Sequence, residues 1–476
     1  MPGGIFGGNE FDESMMRKGT PMTVIALDIG TTKICAIAVD APSGRVLEVL
    51  SQNNTFLPAP KPWERIQDVS AICTLIQSFC DALIPKYSPI LCIGITGQMH
   101  GILYLNSKGE AISPLYTWQD ESGLLPYKDG LSYSQYLTHS SGYPMASGYG
   151  ITTLFCHTLS GAIPAGTSAF CTIQDYVAMR LTGRTRPLVH TTNAASFGCF
   201  SLASGAFDVR AIQKAGMDAG LLPEITEDIR ILGETKEGIP VAVAIGDNQA
   251  SFLGAVNAPE ESVLVNIGTG SQVSFLARGS EKPLPKGLEL RPYFEGRYLY
   301  AGSPLCGGSA YALLERFFRS VVSMAGIEAP QSLYDKMDEL LRRTQEDHHP
   351  LKVYTQFSGT REQPQARGRI ENISYDNFTP ENLIRGFLNG MAQELYALVE
   401  PMQIQSSTDF LIASGNGVRK NLTLRQILSQ RFQAPVKIPR HREEAAFGAA
   451  LYAMTGVGFY ISLKNAGALI QYEGDE

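Results

Sequence analysis

The chain has 476 residues, 44% of them hydrophobic and 18% charged, the balance of an ordinary globular protein too long for one core. Its net charge of −7 is spread without a basic block or acidic tail, which excludes the clustered Lys and Arg of a nucleic-acid binder. The charge does not exclude a phosphate ligand, which backbone N–H groups and Mg²⁺ commonly hold.

The eight cysteines (Cys35, Cys73, Cys80, Cys92, Cys156, Cys171, Cys199 and Cys306) form no C-x-x-C pair, and most sit in apolar runs. They read as free core thiols in a reducing cytoplasm. No window approaches 18 continuous apolar residues, so no membrane span is expected. Residues 1–21 lack the apolar stretch of a signal peptide and read as a flexible, dispensable leader, with Met22 a second candidate start.

In chain order, "TVIALDIG" (23–30) predicts a buried strand that turns through "TTK" and returns as "ICAIAVD", a β-hairpin. Residues 68–84 carry Val69, Ile72, Leu75, Ile76, Phe79 and Leu83 at helical spacing. "ILCIGITGQ" follows as a buried strand, so the chain returns to one sheet in the α/β manner. Further on, "VLVNIGTGSQVSFLA" (263–277) repeats the plan of the first hairpin. Aligning Gly30 with Gly268 gives an offset of 268 − 30 = 238, half the chain length. The repeat implies a duplicated α/β domain with an interdomain cleft, divided into residues 22–245 and 246–476. Residues 279–298 read as a loop with a short hairpin, and 357–374 as a polar loop. Helices are expected near 309–325, 380–402 and 419–432, and the small residues of "EEAAFGAALYAMTG" predict a tightly packed closing helix.

Several loops between these elements carry candidate chemistry. Gly30-Thr31-Thr32-Lys33 and Gly268-Thr269-Gly270 offer backbone N–H groups in tight turns, concavities suited to phosphate oxygens or simply hairpin turns. Asp28 ends a buried strand, where a carboxylate is costly unless it meets a metal, a donor or water; it reads as a Mg²⁺ ligand or as a cap of its own turn. Asp247 follows the apolar run ending at Ile245 and opens a helix. It is a candidate general base for a hydroxyl nucleophile, or an N-cap. The loop "GITGQMHG" offers Gln98, Met99 and His100, "YTWQD" offers Trp118 and Asp120, and "HTTNAASFG" offers Asn193; taken alone each reads either as a polyol contact or as structure, the Gln-Met-His loop as a loop brace and the Trp as core.

Together, "LDIGTTK", "GITGQMHG", "TWQD", "IGDNQAS", "NIGTGSQVS" and "IASGNGVRKNLTLRQILSQRFQAPV" with "EEAAFGAAL" resemble the FGGY carbohydrate kinases across nearly the whole chain. The resemblance implies duplicated actin-like ATPase (ribonuclease H-like) α/β domains and transfer of the γ-phosphate of ATP to a sugar hydroxyl. Carried over by position, Asp28 and Asp247 would lie near Mg²⁺, and Gly30, Thr31, Thr32, Lys33, Gly268, Thr269 and Gly270 near the phosphates. Gly307, Gly308, Gly415 and Asn416 would lie against adenosine. Asp247 would be the base, and Gln98, Met99, His100, Trp118, Asn193 and Asn248 would surround the sugar. Family members often follow Trp-x-Asp with Arg, whereas Glu121 stands here. Within the family, "SGNGVRKN", the 357–374 loop and "TWQD" are most similar to sedoheptulokinases, with xylulose or another pentulose as the alternative substrate. The expected partners are a small sugar, with no nucleic acid and no membrane; self-association as a homodimer is left open. Two rival readings are a non-sugar actin-fold ATPase, against which the sugar loops speak, and an inactive sugar sensor, against which Asp28 and Asp247 speak.

Overall fold

The computed structural model describes residues 22–277, 284–328, 330–344, 349–360, 363, 365–403 and 409–475. The expected leader over 1–21 lies outside them, as do parts of the segments 279–298 and 357–374. The chain forms two compact units. The first takes the residues up to Asn257 with Pro292–Gly296 and Glu443–Ile470; the second takes Ala258–Arg291, Arg297–Arg442 and Gln471–Glu476.

The first unit is built on a seven-stranded sheet. Thr23–Ile29 and Lys33–Asp40 form the expected hairpin, Val46–Asn53 extends it antiparallel, and Ile90–Gly97 lies parallel to Thr23–Ile29. Pro240–Ala242 and Ile245–Gly246 pair parallel with Ile90–Gly97, and Ile231–Glu234 closes the edge. Thr23–Ile29 and the interior of Lys33–Asp40 are buried nearly throughout, which is why these strands read as continuous apolar runs rather than alternations. The expected helix is Val69–Tyr87, capped by Asp68, whose side chain accepts from the Ser70 and Ala71 amides. By length and composition this helix could cross a membrane. Here its face of Val69, Ile72, Ile76, Phe79, Cys80 and Leu83 is buried in the core with the sheet.

The sheet is closed by two helices that touch through backbone, Asp247–Ala255 and Glu444–Gly456. A Cβ on Gly448 would lie 1.9 Å from the Ala250 carbonyl oxygen, and one on Gly254 would lie 2.0 Å from that of Glu444. Only glycine allows that approach, and this accounts for the small-residue composition of the closing helix.

The second unit repeats the plan. Ser262–Ile267 and Ser271–Leu276 form a hairpin, Tyr298–Gly302 adds antiparallel to it, and Leu288–Pro292 lies at that edge. Phe410–Ser414 lies parallel to Ser262–Ile267, and Val436–Lys437 parallel to Phe410–Ser414. Hairpin, third antiparallel strand and two parallel strands thus occur in the same order in both units. The helices expected near 309–325, 380–402 and 419–432 are Gly308–Met324, Pro380–Val399 and the pair Asn416–Lys420 and Leu422–Phe432. Within the expected polar loop, Arg369–Glu371 pairs with Lys352–Tyr354. All eight cysteines are free, seven of them buried.

Candidate active site

In the first unit three parallel strands end side by side. Asp28 is opposite Thr96, Ile29 and Gly246 are both opposite Gly97, and Ile245 is opposite Thr96. Asp28, Gln98 and Asp247 therefore gather at the carboxyl ends of adjacent strands, where α/β sheets place their ligands. Asp247 is the first residue of its helix and Gly246 is the N-cap, so the capping role open to Asp247 falls to its neighbour. At that position the helix dipole favours its negative charge.

Asp28 is half-buried, and its Oδ1 is shielded and without a hydrogen-bond partner among the described residues. Burial, then the nearby charges of Asp247 and Glu443, push its carboxyl up to about 7, with Lys33 working the other way. Lys33 does not stand alone in the turn: its ammonium lies 2.8 and 2.6 Å from the two carboxylate oxygens of Glu443. Burial works against the charged lysine, but the Glu443 contact outweighs it and raises the lysine above its ordinary range.

The Gly30–Lys33 turn is tied to the loops carrying Gln98 and Trp118. The Thr31 hydroxyl accepts from Trp118 Nε1 at 2.8 Å and donates to Gln98 Oε1 at 3.1 Å. Gln98 is buried; its Nε2 donates to Gln67 Oε1 at 2.8 Å. Gln67 Nε2 returns to the Thr31 carbonyl at 2.7 Å, and Asn54 Nδ2 reaches the Gly30 carbonyl at 3.0 Å. Trp118 is 44% exposed and leaves its ring open to a ligand.

His100 adopts φ 73°, stacks on Tyr149 at 4.7 Å and places Nδ1 2.7 Å from the Ser196 carbonyl. A carbonyl only accepts, so Nδ1 carries the proton. Met99 is buried against Gly246. Asn193 departs from the expected sugar contact. It is wholly buried, its Nδ2 donating to Ala244 O (3.2 Å) and Asp175 Oδ1 (3.4 Å) and its Oδ1 accepting from Gln174 (3.0 Å). Its amide is thus spent on the end of the neighbouring strand and on the helix beside it. Asp120 is likewise buried, accepting from the Ser122 amide at 2.9 Å and shaping its own turn. Asn248 is buried beside Asp247 on the same helix. The segment carrying Asn193 also holds two site backbones: Thr192 Oγ1 accepts from Gly246 N at 3.1 Å, and Ser196 Oγ from His100 N at 3.0 Å.

In the second unit, Thr269 and Gly270 are exposed at the tip of the second hairpin. Gly307 and Gly308 pack against that tip: the Gly308 and Ser309 amides donate to the Gly268 and Thr269 carbonyls, each at 2.9 Å. These contacts spend the first amides of helix Gly308–Met324 on bracing the turn. Gly415, at φ 88°, sits where a Cβ would meet the Ile267 carbonyl at 2.5 Å; Gly97 stands in the same relation to Ile29 in the first unit, at 2.9 Å. Asn416 is exposed at the start of its helix. Asn266 stands where Asp28 stands in the first repeat and donates to Ser414 Oγ at 2.9 Å, so the second turn lacks the carboxylate.

Residues 23–254 match the N-terminal domain, and residues 263–457 the C-terminal domain, of the FGGY family of carbohydrate kinases. The chain belongs to that family. Its curated relatives include the sedoheptulokinase of Mus musculus, 28% identical over 475 residues with 90% of this chain and 97% of the relative covered. The Homo sapiens sedoheptulokinase is also 28% identical, with the same coverage. A glycerol kinase of Alkalilimnicola ehrlichii is 27% identical, covering 91% of this chain and 90% of its own. Among solved structures, the xylulose kinase of Rhodospirillum rubrum superposes with a TM-score of 0.80 at 22% identity, covering 94% of this chain and 93% of that one. At that identity the likeness shows the fold: two-domain, mixed α/β, actin-like ATPase. The FGGY chain is a sugar kinase, a transferase that uses ATP.

Sequence reasoning missed Gln67, Asn54, Thr192, Ser196 and Glu443. Gln67 and Asn54 lie outside the motifs singled out, Thr192 and Ser196 lie in the "HTTNAASFG" loop where only Asn193 was chosen, and Glu443 was visible only as the start of the closing helix. No group of three or more His, Cys, Asp or Glu suited to a metal occurs among the described residues. Mg²⁺ needs less, being held by one or two carboxylates, water and the substrate phosphates. The shielded, unpartnered Asp28 Oδ1 with Asp247 nearby fits that requirement.

Proposed function

We propose that this FGGY kinase phosphorylates sedoheptulose to sedoheptulose 7-phosphate from ATP, with Asp247 as general base. The observation that carries the substrate is the pair of sedoheptulokinase relatives, matched over 97% of their own length. Xylulose and glycerol are the competing acceptors.

In this reading the sugar lies on the exposed Trp118 ring with Gln98 and His100 supplying hydrogen bonds, and its terminal hydroxyl faces Asp247. Asp247 orients that hydroxyl and takes its proton as the phosphoryl group arrives. The amides of the Gly30–Lys33 turn meet the phosphates, as do those of Gly268–Gly270; Gly415 and Asn416 meet the adenosine. Mg²⁺ at Asp28 and Asp247 would offset phosphate charge. Rate acceleration comes chiefly from positioning and electrostatics, because little covalent chemistry is asked of the protein. The free, buried thiols support a reducing, cytoplasmic setting.

The test is ADP release with MgATP against sedoheptulose, xylulose, ribulose, fructose, gluconate and glycerol. A kcat/KM for sedoheptulose at least tenfold above the rest is expected. A preference for a pentulose or glycerol overturns the substrate while leaving the kinase chemistry intact.

A further inference from the structure

Gln67 is fully buried at the end of a two-residue strand, and phosphoryl transfer as described makes no use of it. Its side chain nevertheless joins the two halves of the site in the first unit. Gln67 Oε1 accepts from Gln98 Nε2 (2.8 Å) and from Asn54 Nδ2 (3.2 Å), while its Nε2 donates to the Thr31 carbonyl (2.7 Å). The Thr31 hydroxyl closes the ring by donating to Gln98 Oε1, and it accepts from the Trp118 indole.

Peptide planarity gives this ring a consequence. A carbonyl and the following N–H share one rigid plane, so fixing one aims the other. Asn54 holds the Gly30 carbonyl and so aims the Thr31 N–H; Gln67 holds the Thr31 carbonyl and so aims the Thr32 N–H. The Asn54 amide holds the Thr32 carbonyl at 2.9 Å and aims the Lys33 N–H. The Thr32 donor is thus set by Gln67, the side chain that also holds Gln98, and the Thr31 and Lys33 donors by Asn54, whose side chain in turn bonds Gln67. Gln67 and Gln98 are buried, and the Trp118 ring is exposed.

We propose that Gln67 is a positioning residue through which the sugar loop sets the aim of the phosphate turn, so that sugar and nucleotide tighten each other's binding. The inference rests on the reading that Gln98 and Trp118 meet the sugar and that the Thr31–Lys33 amides meet phosphate. A sugar seated on Trp118 and Gln98 restrains both, and their bonds to Thr31 and Gln67 pass that restraint to the turn. Linkage makes the coupling reciprocal: each ligand improves the other's affinity by the same factor.

The chain has two tryptophans, so Trp63→Phe leaves Trp118 as a single reporter. In that background, sedoheptulose is titrated by fluorescence with and without adenosine 5′-(β,γ-imido)triphosphate and Mg²⁺. The nucleotide is expected to tighten sugar binding at least about fivefold, the lower end of ordinary couplings. Gln67→Glu keeps the shape and the acceptors for Gln98 but loses the donor to Thr31; it should bring the factor close to one. Thr31→Val, at a half-exposed position, should do the same, and Thr31→Ser should restore the coupling. Sugar affinity without nucleotide should change far less, a split that loss of stability alone does not produce. Full coupling in both folded variants overturns the proposal and leaves the sugar site standing. No Trp118 response to sedoheptulose in the parent overturns the site reading and the proposal with it.

Discussion

Lys33 Nζ lies 2.6 Å from Oε2 of Glu443, 410 residues further along the chain, and both belong to the first compact unit. The lysine side chain is 44% exposed and the glutamate 18%. As a stability element such a pair contributes at most about 1 kcal/mol. The pair also bears on Asp28, whose carboxyl Glu443 raises and Lys33 lowers. Lys33→Met leaves the Glu443 carboxylate unneutralised beside the turn proposed to meet the phosphates, and the KM for ATP should rise about tenfold, equivalent to roughly 1.4 kcal/mol. Lys33→Met with Glu443→Gln should recover most of the loss. Steady-state kinetics of the two single variants and the double variant decide it; equal losses in all three exclude a charge effect.

Asp247→Ala should keep ATP affinity within about threefold and lower kcat by 10²–10⁴, roughly the contribution of a positioned general base. Calorimetry for ATP and ADP release for turnover separate the two quantities. Near-normal turnover removes Asp247 from the role of base.

The backbone contact of the two closing helices leaves no room for a methyl group. Gly448→Ala puts a carbon 1.9 Å from the Ala250 carbonyl and forces the helices apart. Destabilisation of about 1–3 kcal/mol or more follows from overpacking. Thermal melts should show a lower Tm for Gly448→Ala, and an unchanged Tm for Gly467→Ala, where a Cβ would meet nothing within 4 Å.

Asp175 provides a pH test. Burial pushes its carboxyl up to about 7, against hydrogen bonds from Thr172 and Asn193 that lower it. Between its ordinary 3.8 and about 7, the folded state keeps a proton that the unfolded state has lost. The unfolded state binds fewer protons there, so this contribution to stability is complete below 3.8 and falls as pH rises toward about 7. Buried His157 and His190, both lowered to about 4 chiefly by burial, act in the opposite direction. Asp175→Asn should therefore be compared with the parent by denaturant melts at pH 5 and pH 8, which cancels the histidine contribution. Relative to the parent, the variant should gain stability at pH 8 over pH 5, by a few kcal/mol at most. A pH-independent difference removes Asp175 as the source.

The elements and the duplication were legible in the chain because their signals are local. Apolar runs closed by Ile-Gly-Thr fix a strand and its turn within eight residues, and the same plan recurs 238 residues later. Helical spacing over residues 68–84 likewise marks a buried face that became Val69–Tyr87. Asp28, Gln98 and Asp247 were also readable, since each stands where an apolar run stops, and a strand end is visible without knowing its neighbours.

Asn193 shows the limit of such reading. In sequence it is a polar residue in a loop, as Trp118 and its neighbours are, yet the structure buries it wholly against Ala244 and Asp175 while Trp118 stays exposed. Whether a polar loop residue faces outward or braces a neighbouring strand depends on which segments pack over it, and no window of the chain contains that information. Lys33 with Glu443, and Thr31 with Gln67, Gln98 and Trp118, are joined for the same reason. The sequence by itself determined the strands, the turns and the chemistry offered at their ends. Tertiary structure alone decided which of those groups are spent on one another, because hydrogen bonds and ion pairs form between residues brought close by sheet register and helix packing rather than by order in the chain.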